Sequence, residues 1–111
     1  MSKMQRTKGR RAQCELATAL RERDWQVIET SAGHAVEDMV AISPQGKTYS
    51  VECKHCELIQ LKKFIAQARE QAKKRKLPWM LCCRLPLYPG MWLVIRQDER
   101  PVVWAGNMDV G

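Results

Sequence analysis

The chain has 111 residues, which leaves room for one domain with a modest core. Nineteen lysines and arginines against twelve aspartates and glutamates give a net charge of +7, and this excess favours a polyanionic partner such as nucleic acid or an anionic membrane. No apolar run approaches the roughly 20 residues that span a bilayer, and nothing resembles a signal peptide. We therefore expect a soluble, cytoplasmic protein that does not enter a membrane.

The first residues carry several basic side chains and few apolar ones, which predicts a flexible basic arm over residues 1–9. A solvated tail is the alternative, but the net charge favours an arm that touches DNA phosphates. Residues 10–111 are predicted to form a single domain, because a chain of this length has no room for a second core.

From Arg10 to Asp24, apolar residues recur at helical spacing and form a stripe that can pack on a sheet. The stripe consists of Ala12, Leu16, Ala19 and Leu20. This pattern predicts the first helix of the domain. Trp25 to Thr30 follow it, and we predict them as a short first strand.

Two strand-like runs come next, Val36 to Ser43 and Lys47 to Lys54, joined by Pro44-Gln45-Gly46. In such a turn the proline presets one backbone angle, and the glycine tolerates a positive φ. The pattern therefore predicts a β-hairpin.

Three charged residues of this hairpin are candidates for chemistry. Because side chains alternate along a strand, Glu52 and Lys54 share one face, roughly 6 to 7 Å apart. If the hairpin closes at the predicted turn, Asp38 on the partner strand comes close to Glu52. Two close carboxylates repel unless a hard divalent cation lies between them, and a neighbouring lysine can orient water or offset phosphate charge. The spacing favours metal-assisted phosphodiester hydrolysis, with ordinary solvated charges as the alternative.

The segment Glu57 to Lys76 is the clearest predicted helix. Its apolar stripe has three- and four-residue intervals and consists of Leu58, Leu61, Ile65, Ala68 and Ala72. The helix ends in an unbroken basic cluster, which comprises Lys73, Lys74, Arg75 and Lys76. No acidic residue interrupts this cluster, which favours contact with a DNA backbone over a merely solvated surface.

The remaining elements are predicted as strands. Leu77-Pro78 stops the helix, and apolar runs then occupy Trp79–Arg84, Met91–Arg96 and Val102–Trp104. The order helix, three strands, helix, then two or three strands predicts an α/β fold, in which a small mixed β-sheet is flanked by helices.

The cysteines are best explained as reduced thiols, because there are five, an odd number, in a chain without export signals. A zinc site is the alternative, since Cys53 and Cys56 have metal-ligand spacing and Cys82 and Cys83 offer further ligands. Adjacent residues of a strand point to opposite faces, however, so Cys82 and Cys83 argue against that site.

The ordered motifs from Arg10 to Phe64 resemble a known group of nucleases. Thirteen residues separate Asp38 from Glu52-Cys53-Lys54, which closes an apolar strand. This pattern resembles the PD-(D/E)xK nuclease superfamily. The helix, the Ser31-Ala32-Gly33 loop and the Gly46-Lys47 turn are similar to those of the archaeal-type Holliday-junction resolvases. The resemblance covers more than half of the chain.

The resemblance implies a restriction-endonuclease-like core and a Mg²⁺-dependent endonuclease in which Mn²⁺ can substitute. Asp38, Glu52 and the Cys53 carbonyl would hold the metal ion, while Lys54 would position water or steady the scissile phosphate. Ser31 matches a serine that assists cleavage in related resolvases. The family acts on branched DNA as homodimers, whose two-fold symmetry gives one active site to each of two opposed strands. The implied substrate is a four-way (Holliday) junction.

The first helix departs from the family pattern, which places there a glutamate that reaches the metal site. The matching position holds Gln13, whose amide oxygen would hold a metal-bound water. We favour it over Glu15, which lies about 200° round the helix. The arginine that often follows the family's glutamate is Cys14 here. The phosphate contact of that arginine is therefore either missing or supplied by Arg10 or Arg11.

Three other functions remain open. A nuclease for another structure, such as a flap or a nicked duplex, would use the same chemistry. Gln13 in place of a carboxylate allows a DNA-binding module that has lost catalysis. A binder of anionic membranes or general polyanions is disfavoured, because the chain lacks a strongly amphipathic basic helix with bulky aromatics.

Overall fold

In the part of the chain that the structure describes, one six-stranded sheet and two helices form the architecture. The structure is a computed structural model and describes residues 3–29, 39–55, 60–86, 88 and 90–105, without the side chains of residues 3–10 and 29. The elements are α1 (Lys3–Glu22), β1 (Gln26–Glu29), β2 (Met39–Ile42), β3 (Thr48–His55), α2 (Leu61–Arg75), β4 (Trp79–Arg84), β5 (Trp92–Arg96) and β6 (Val102–Trp104). The predicted α/β class and element order are confirmed, with three strands after α2.

The strands lie in the sheet in the order in which they occur along the chain. β1, β2 and β3 pair antiparallel, and so do β4, β5 and β6. β3 and β4 pair in parallel, because the chain crosses over through α2 between them. This topology puts β3 and β4 at the centre of the sheet.

Helix α1 is longer than the sequence predicts. It begins at Lys3 rather than Arg10, so the backbone of residues 3–9 is helical where the sequence analysis expects an arm. The physical reason is that most of these residues are good helix formers and none is proline, although they carry no apolar stripe to signal a helix. No helix in the described part of the chain is long and apolar enough to cross a bilayer.

The predicted apolar stripe of α1 is buried against the sheet, as Ala12, Leu16, Ala19 and Leu20 are all in the core. The helix ends at Glu22, and two residues later Asp24 has a left-handed backbone with a φ of 67°. The next amide, that of Trp25, reaches back to the carbonyl of Leu20 at 3.0 Å and satisfies one of the last helical acceptors. The chain can therefore turn directly into β1.

The predicted hairpin between β2 and β3 is confirmed. Gly46 adopts a φ of +91°, its amide donates to the carbonyl of Ser43 at 2.8 Å, and the Ser43 amide donates to the carbonyl of Lys47 at 2.8 Å. A three-residue loop closed by a glycine at positive φ sets the strand register. Met39 therefore lies opposite Val51, and Ala41 opposite Tyr49.

Each face of the sheet carries its own hydrophobic cluster. Tyr49, Val51 and Cys82 join residues of α1 in the larger cluster, whereas Leu81 and Cys83 join residues of α2 in the smaller one. Cys82 and Cys83 thus face opposite ways, as predicted from strand alternation. β4 is buried on both faces because it has a helix over each and a strand on either side.

Helix α2 begins at Leu61 after Gln60, and residues 57–59 of the predicted helix lie outside the described residues. Its buried residues are Phe64, Ala68 and Ala72. At the other end Lys76 has a φ of 57°, and the amide of Leu77 donates to the carbonyl of Ala72 at 3.0 Å. This is the hydrogen bond of a Schellman motif, in which the left-handed position usually belongs to glycine.

Candidate functional site

An ion pair lies on the central strand β3, as the sequence predicts. Glu52 and Lys54 alternate with Val51 and Cys53 and share the face of the sheet on which α2 packs. The Nζ atom of Lys54 lies 3.5 Å from Oε2 of Glu52. Acid and base are therefore held side by side on one rigid strand.

The carboxylate of this pair is withdrawn from solvent. Glu52 is only 9% exposed, and it lies on the face of the sheet on which α2 packs. The ammonium of Lys54 is more accessible, at 31% of its side chain, and it also lies 5.5 Å from the ring centroid of Phe64 in α2. Charge interactions are stronger in such a partly dehydrated place than in water. A cation bound to Glu52 or a phosphate bound to Lys54 would therefore be held more strongly than at a fully solvated site.

The predicted second carboxylate, Asp38, lies outside the described residues. Strand β2 is described from Met39, the residue after it, and Met39 lies opposite Val51, the residue before Glu52. The predicted relation of the two strands therefore holds up to the last described pair.

The two candidates on α1 have different surroundings. The Oε2 atom of Glu15 lies 3.1 Å from Nη2 of Arg84, so its charge is balanced by a guanidinium at the end of β4. Gln13 is half-buried. The ion pair gives Glu15 a structural partner. Helix α1 packs on the face of the sheet opposite to Glu52, and the choice of Gln13 over Glu15 stays a prediction.

The residues present fit a hard divalent cation. Among the described residues, no group of three or more histidine, cysteine, aspartate or glutamate side chains could hold a metal ion. The predicted metal ligands include only two groups from the described residues, the carboxylate of Glu52 and the main-chain carbonyl of Cys53. Both are oxygen donors, the class that Mg²⁺ and Mn²⁺ prefer.

The predicted DNA contacts are only partly within the described residues. Ser31 and the side chain of Arg10 lie outside them, while Arg11 is exposed on α1. The lysines of the basic cluster, Lys73, Lys74 and Lys76, are exposed. Arg75 differs, because it is half-buried and its Nη1 atom donates to Oγ of Ser50 at 2.9 Å.

The four cysteines that the structure describes are thiols rather than members of disulfides. Cys82 is fully buried, and this burial, reinforced by the neighbouring Cys53 and Cys83, raises the pKa of its thiol well above the usual value. A high thiol pKa disfavours the thiolate that zinc requires. The alternative of a zinc site therefore gains no support from Cys82, while Cys56 lies outside the described residues.

Two arginine contacts were missed by the sequence analysis, those of Arg84 and Arg75. Arg84 ends a strand, and a basic residue there gives no sign of the helix residue it will meet. Arg75 stands in a run of cations, which suggests a solvated surface. Its position offered one usable signal. Residues three, four or seven apart share a helix face, and Arg75 follows the core residues Ala68 and Ala72 by seven and three positions.

Fold and site together define a class. A mixed sheet with an antiparallel hairpin, a helical crossover and an E-x-K triplet on its central strand is the restriction-endonuclease-like arrangement of the PD-(D/E)xK nucleases, which the sequence motifs predict. The predicted family and fold are confirmed by comparison with known proteins.

The family described as archaeal Holliday junction resolvase (Hjc) matches residues 4–76, which are 73 of the 111 residues and run from α1 to the end of α2. The chain belongs to this family. It is therefore a junction-resolving endonuclease of a family that binds DNA junctions and uses a divalent metal.

A solved structure with a similar fold is that of Hjc, a Holliday junction resolvase from the archaeal hyperthermophile Archaeoglobus fulgidus. The TM-score is 0.52 at 15% sequence identity, and the likeness covers 82% of this chain and 85% of that one. At this identity the likeness shows the fold. A comparison with curated protein sequences returns no significant match.

Proposed function

We propose that Asp38, Glu52 and the carbonyl of Cys53 hold Mg²⁺, with Mn²⁺ as a substitute, in a site that cleaves four-way DNA junctions. The observation that carries the proposal is the buried carboxylate of Glu52 with the ammonium of Lys54 at 3.5 Å. The strand register supports Asp38, because extending it by one residue beyond the Met39 and Val51 pair would put Asp38 opposite Glu52.

The bound divalent ion would supply positive charge at the scissile phosphate and an acidified water. Lys54 donates hydrogen bonds to a non-bridging phosphate oxygen or to the attacking water, and its charge offsets the negative charge that grows in the transition state. The sequence pattern supports a role for Gln13, whose amide oxygen would accept a hydrogen bond from that water, but α1 packs on the face of the sheet opposite to Glu52. Glu52 keeps the ammonium of Lys54 in place between turnovers.

Affinity for DNA comes from cations around this site. We propose that Lys73, Lys74 and Lys76 contact phosphates as point charges, with little discrimination among bases. Arg10, Arg11 and Ser31 are proposed to contact phosphates on the α1 side. A DNA substrate agrees with the cytoplasmic location that the sequence analysis expects.

A homodimer fits the proposed substrate. A four-way junction offers two opposed strands to cut, and a two-fold axis gives each strand an equivalent active site. Light scattering at the protein concentration used for cleavage should therefore give twice the mass of one chain, with or without junction DNA. A monomer that cleaves both strands would contradict this part of the proposal.

The test of the site is cleavage of end-labelled four-way junctions with Mg²⁺ or Mn²⁺. We expect Glu52→Gln and Asp38→Asn to lower the single-turnover rate by about 100-fold or more, because each removes a charged ligand of the proposed ion at nearly constant shape. Lys54→Gln should lower it by a similar factor. Junction affinity, measured by gel shift in Ca²⁺, should stay within a few-fold.

Glu70→Gln provides the matched control, because Glu70 is an exposed carboxylate of α2 and its replacement changes charge and volume equally. Cleavage that tolerates both Asp38→Asn and Glu52→Gln would remove the proposed site. Tight junction binding by the wild type without cleavage would favour the DNA-binding module, the alternative that Gln13 supports. Faster cleavage of flaps or nicked duplexes than of junctions would move the substrate to those structures.

A further inference from the structure

Arg75 lies in the last turn of α2 but does not share the surroundings of the exposed lysines beside it. Its Nη1 atom donates to Oγ of Ser50 at 2.9 Å and to the main-chain carbonyl of Met39 at 3.4 Å. The first is a short, charge-assisted hydrogen bond and the second is longer. One guanidinium nitrogen therefore bridges α2, β3 and β2.

The two acceptors lie next to the residues of the proposed site. Ser50 is 2% exposed and is two residues before Glu52, so both side chains are on the same face of β3. Met39 is the residue that follows Asp38. The contacts of Arg75 thus join the strand that carries Glu52 to the start of the strand that follows Asp38.

We propose that Arg75 is a positioning residue of the nuclease site, and that it fixes the start of β2 against β3 so that the two carboxylates keep the spacing a shared divalent ion needs. This inference rests on the proposed roles of Asp38 and Glu52. It assigns to Arg75 a role different from the DNA contact that the basic sequence around it suggests. The DNA contacts then belong to the three lysines.

The chemistry of the side chain explains why an arginine stands here. A guanidinium is planar and keeps its charge, and its Nη1 atom carries two N–H groups at a fixed angle, so this one nitrogen can serve two acceptors on different strands at once. The ammonium of a lysine ends a shorter and more flexible stem, so at this position it does not hold both acceptors at the same time. Arg75→Lys therefore keeps the charge while it removes the bridge.

The experiment compares Arg75→Lys and Ser50→Ala with Arg69→Lys. Arg69 is an exposed arginine of the same helix, so the control makes the same substitution away from the strands. For each variant we would measure the junction dissociation constant, the single-turnover cleavage rate at saturating protein, the melting temperature, and Mn²⁺ binding by calorimetry without DNA.

We expect Arg75→Lys to lower the saturated cleavage rate by about 10- to 100-fold, since a misplacement near 1 Å at a reacting centre can cost about 100-fold. Mn²⁺ binding should weaken several-fold, and junction affinity should stay within about two-fold. Ser50→Ala should move rate and Mn²⁺ affinity in the same direction by less, because the arginine and its charge remain. Arg69→Lys should match the wild type in every measurement.

Three results would overturn the inference. A wild-type rate and Mn²⁺ affinity in both Arg75→Lys and Ser50→Ala would show that the bridge positions nothing, even if the melting temperature falls. Weaker junction binding with an unchanged saturated rate would make Arg75 a DNA contact. If these variants are normal while Glu52→Gln is inactive, only the role of Arg75 fails. If Glu52→Gln cleaves normally, the proposed function fails and the role of Arg75 with it.

Discussion

At the scale of single residues, Tyr49 shows how one buried hydroxyl connects the central sheet to a distant turn. Its ring is 1% exposed under α1, and its hydroxyl donates to Oε2 of Glu99 at 2.9 Å. The other oxygen of Glu99 lies 3.0 Å from Nη2 of Arg96. Burial raises the pKa of Tyr49, the bond to Glu99 raises it further, and Lys47 acts in the opposite direction.

This pKa gives the first stability prediction. Because the pKa is raised on folding, the stabilisation is complete below the pKa of an unfolded tyrosine, about 10, and is lost as the pH rises through the folded value. Tyr49→Phe should lower the free energy of unfolding by about 1 kcal/mol near pH 8. The difference from wild type should shrink above pH 10, as measured by urea unfolding across the pH range.

Tyr88→Phe is the control for that measurement, because Tyr88 is 58% exposed and is the second of the two tyrosines. Removal of the Tyr88 hydroxyl should leave the free energy of unfolding within about 0.5 kcal/mol of wild type, as for other surface substitutions. A difference between wild type and Tyr49→Phe that stays constant up to pH 11 would contradict the role given to the hydroxyl.

At the scale of elements, the end of α2 combines two demands in one residue. Lys76 takes a left-handed backbone conformation that stops the helix, and its side chain belongs to the exposed cations proposed to contact DNA. A residue with a Cβ pays roughly 1 to 2 kcal/mol for this conformation, which glycine avoids. A lysine at this position therefore supplies a cation for DNA binding, at a cost in the stability of the fold.

Lys76→Gly and Lys76→Ala separate the two demands. Both remove the same charge, so both should weaken junction binding equally. Only glycine relieves the left-handed conformation, and Lys76→Gly should be more stable than Lys76→Ala by about 1 kcal/mol. Thermal or urea unfolding of the two variants checks this. Equal stabilities would mean that the backbone at residue 76 is not strained.

At the scale of the whole molecule, the positive charge of the chain is unevenly placed. The net charge is +7, and the last turn of α2 with the following residue holds four cations without an acid among them. Counterions released from DNA by each phosphate contact make binding depend on salt. The question is whether this cluster, or only the total charge, sets the affinity.

Two double variants answer it, Lys73→Ala with Lys74→Ala and Lys62→Ala with Lys63→Ala. All four lysines are exposed on α2, and each pair lowers the net charge by two. Loss of Lys73 and Lys74 should make the slope of log affinity against log salt less negative by about 2 for each protomer, because each phosphate contact contributes about −0.9. Equal slopes in the two variants would mean that only total charge matters.

Several elements could be predicted from turn residues and side-chain periodicity alone. Pro44 and Gly46 fixed the hairpin, and the period of two put Glu52 and Lys54 on one face, since both depend only on backbone angles and side-chain alternation. The span of β4, Trp79–Arg84, was predicted to the residue because Leu77-Pro78 stops the helix directly before one apolar run. The start of α1 was not, because a helical turn without an apolar stripe leaves no periodic signal.

The sequence by itself determined the order of elements, the turn that sets the register of β2 and β3, and the acid and base side by side on the central strand. Only the tertiary structure decided which helix covers Glu52, that Glu15 is neutralised by Arg84, and that Arg75 bridges two strands rather than facing solvent. The reason is that periodicity and turn chemistry act between near neighbours. The contacts that Arg84 and Arg75 make join residues far apart in sequence, which meet only once the sheet and its helices have packed.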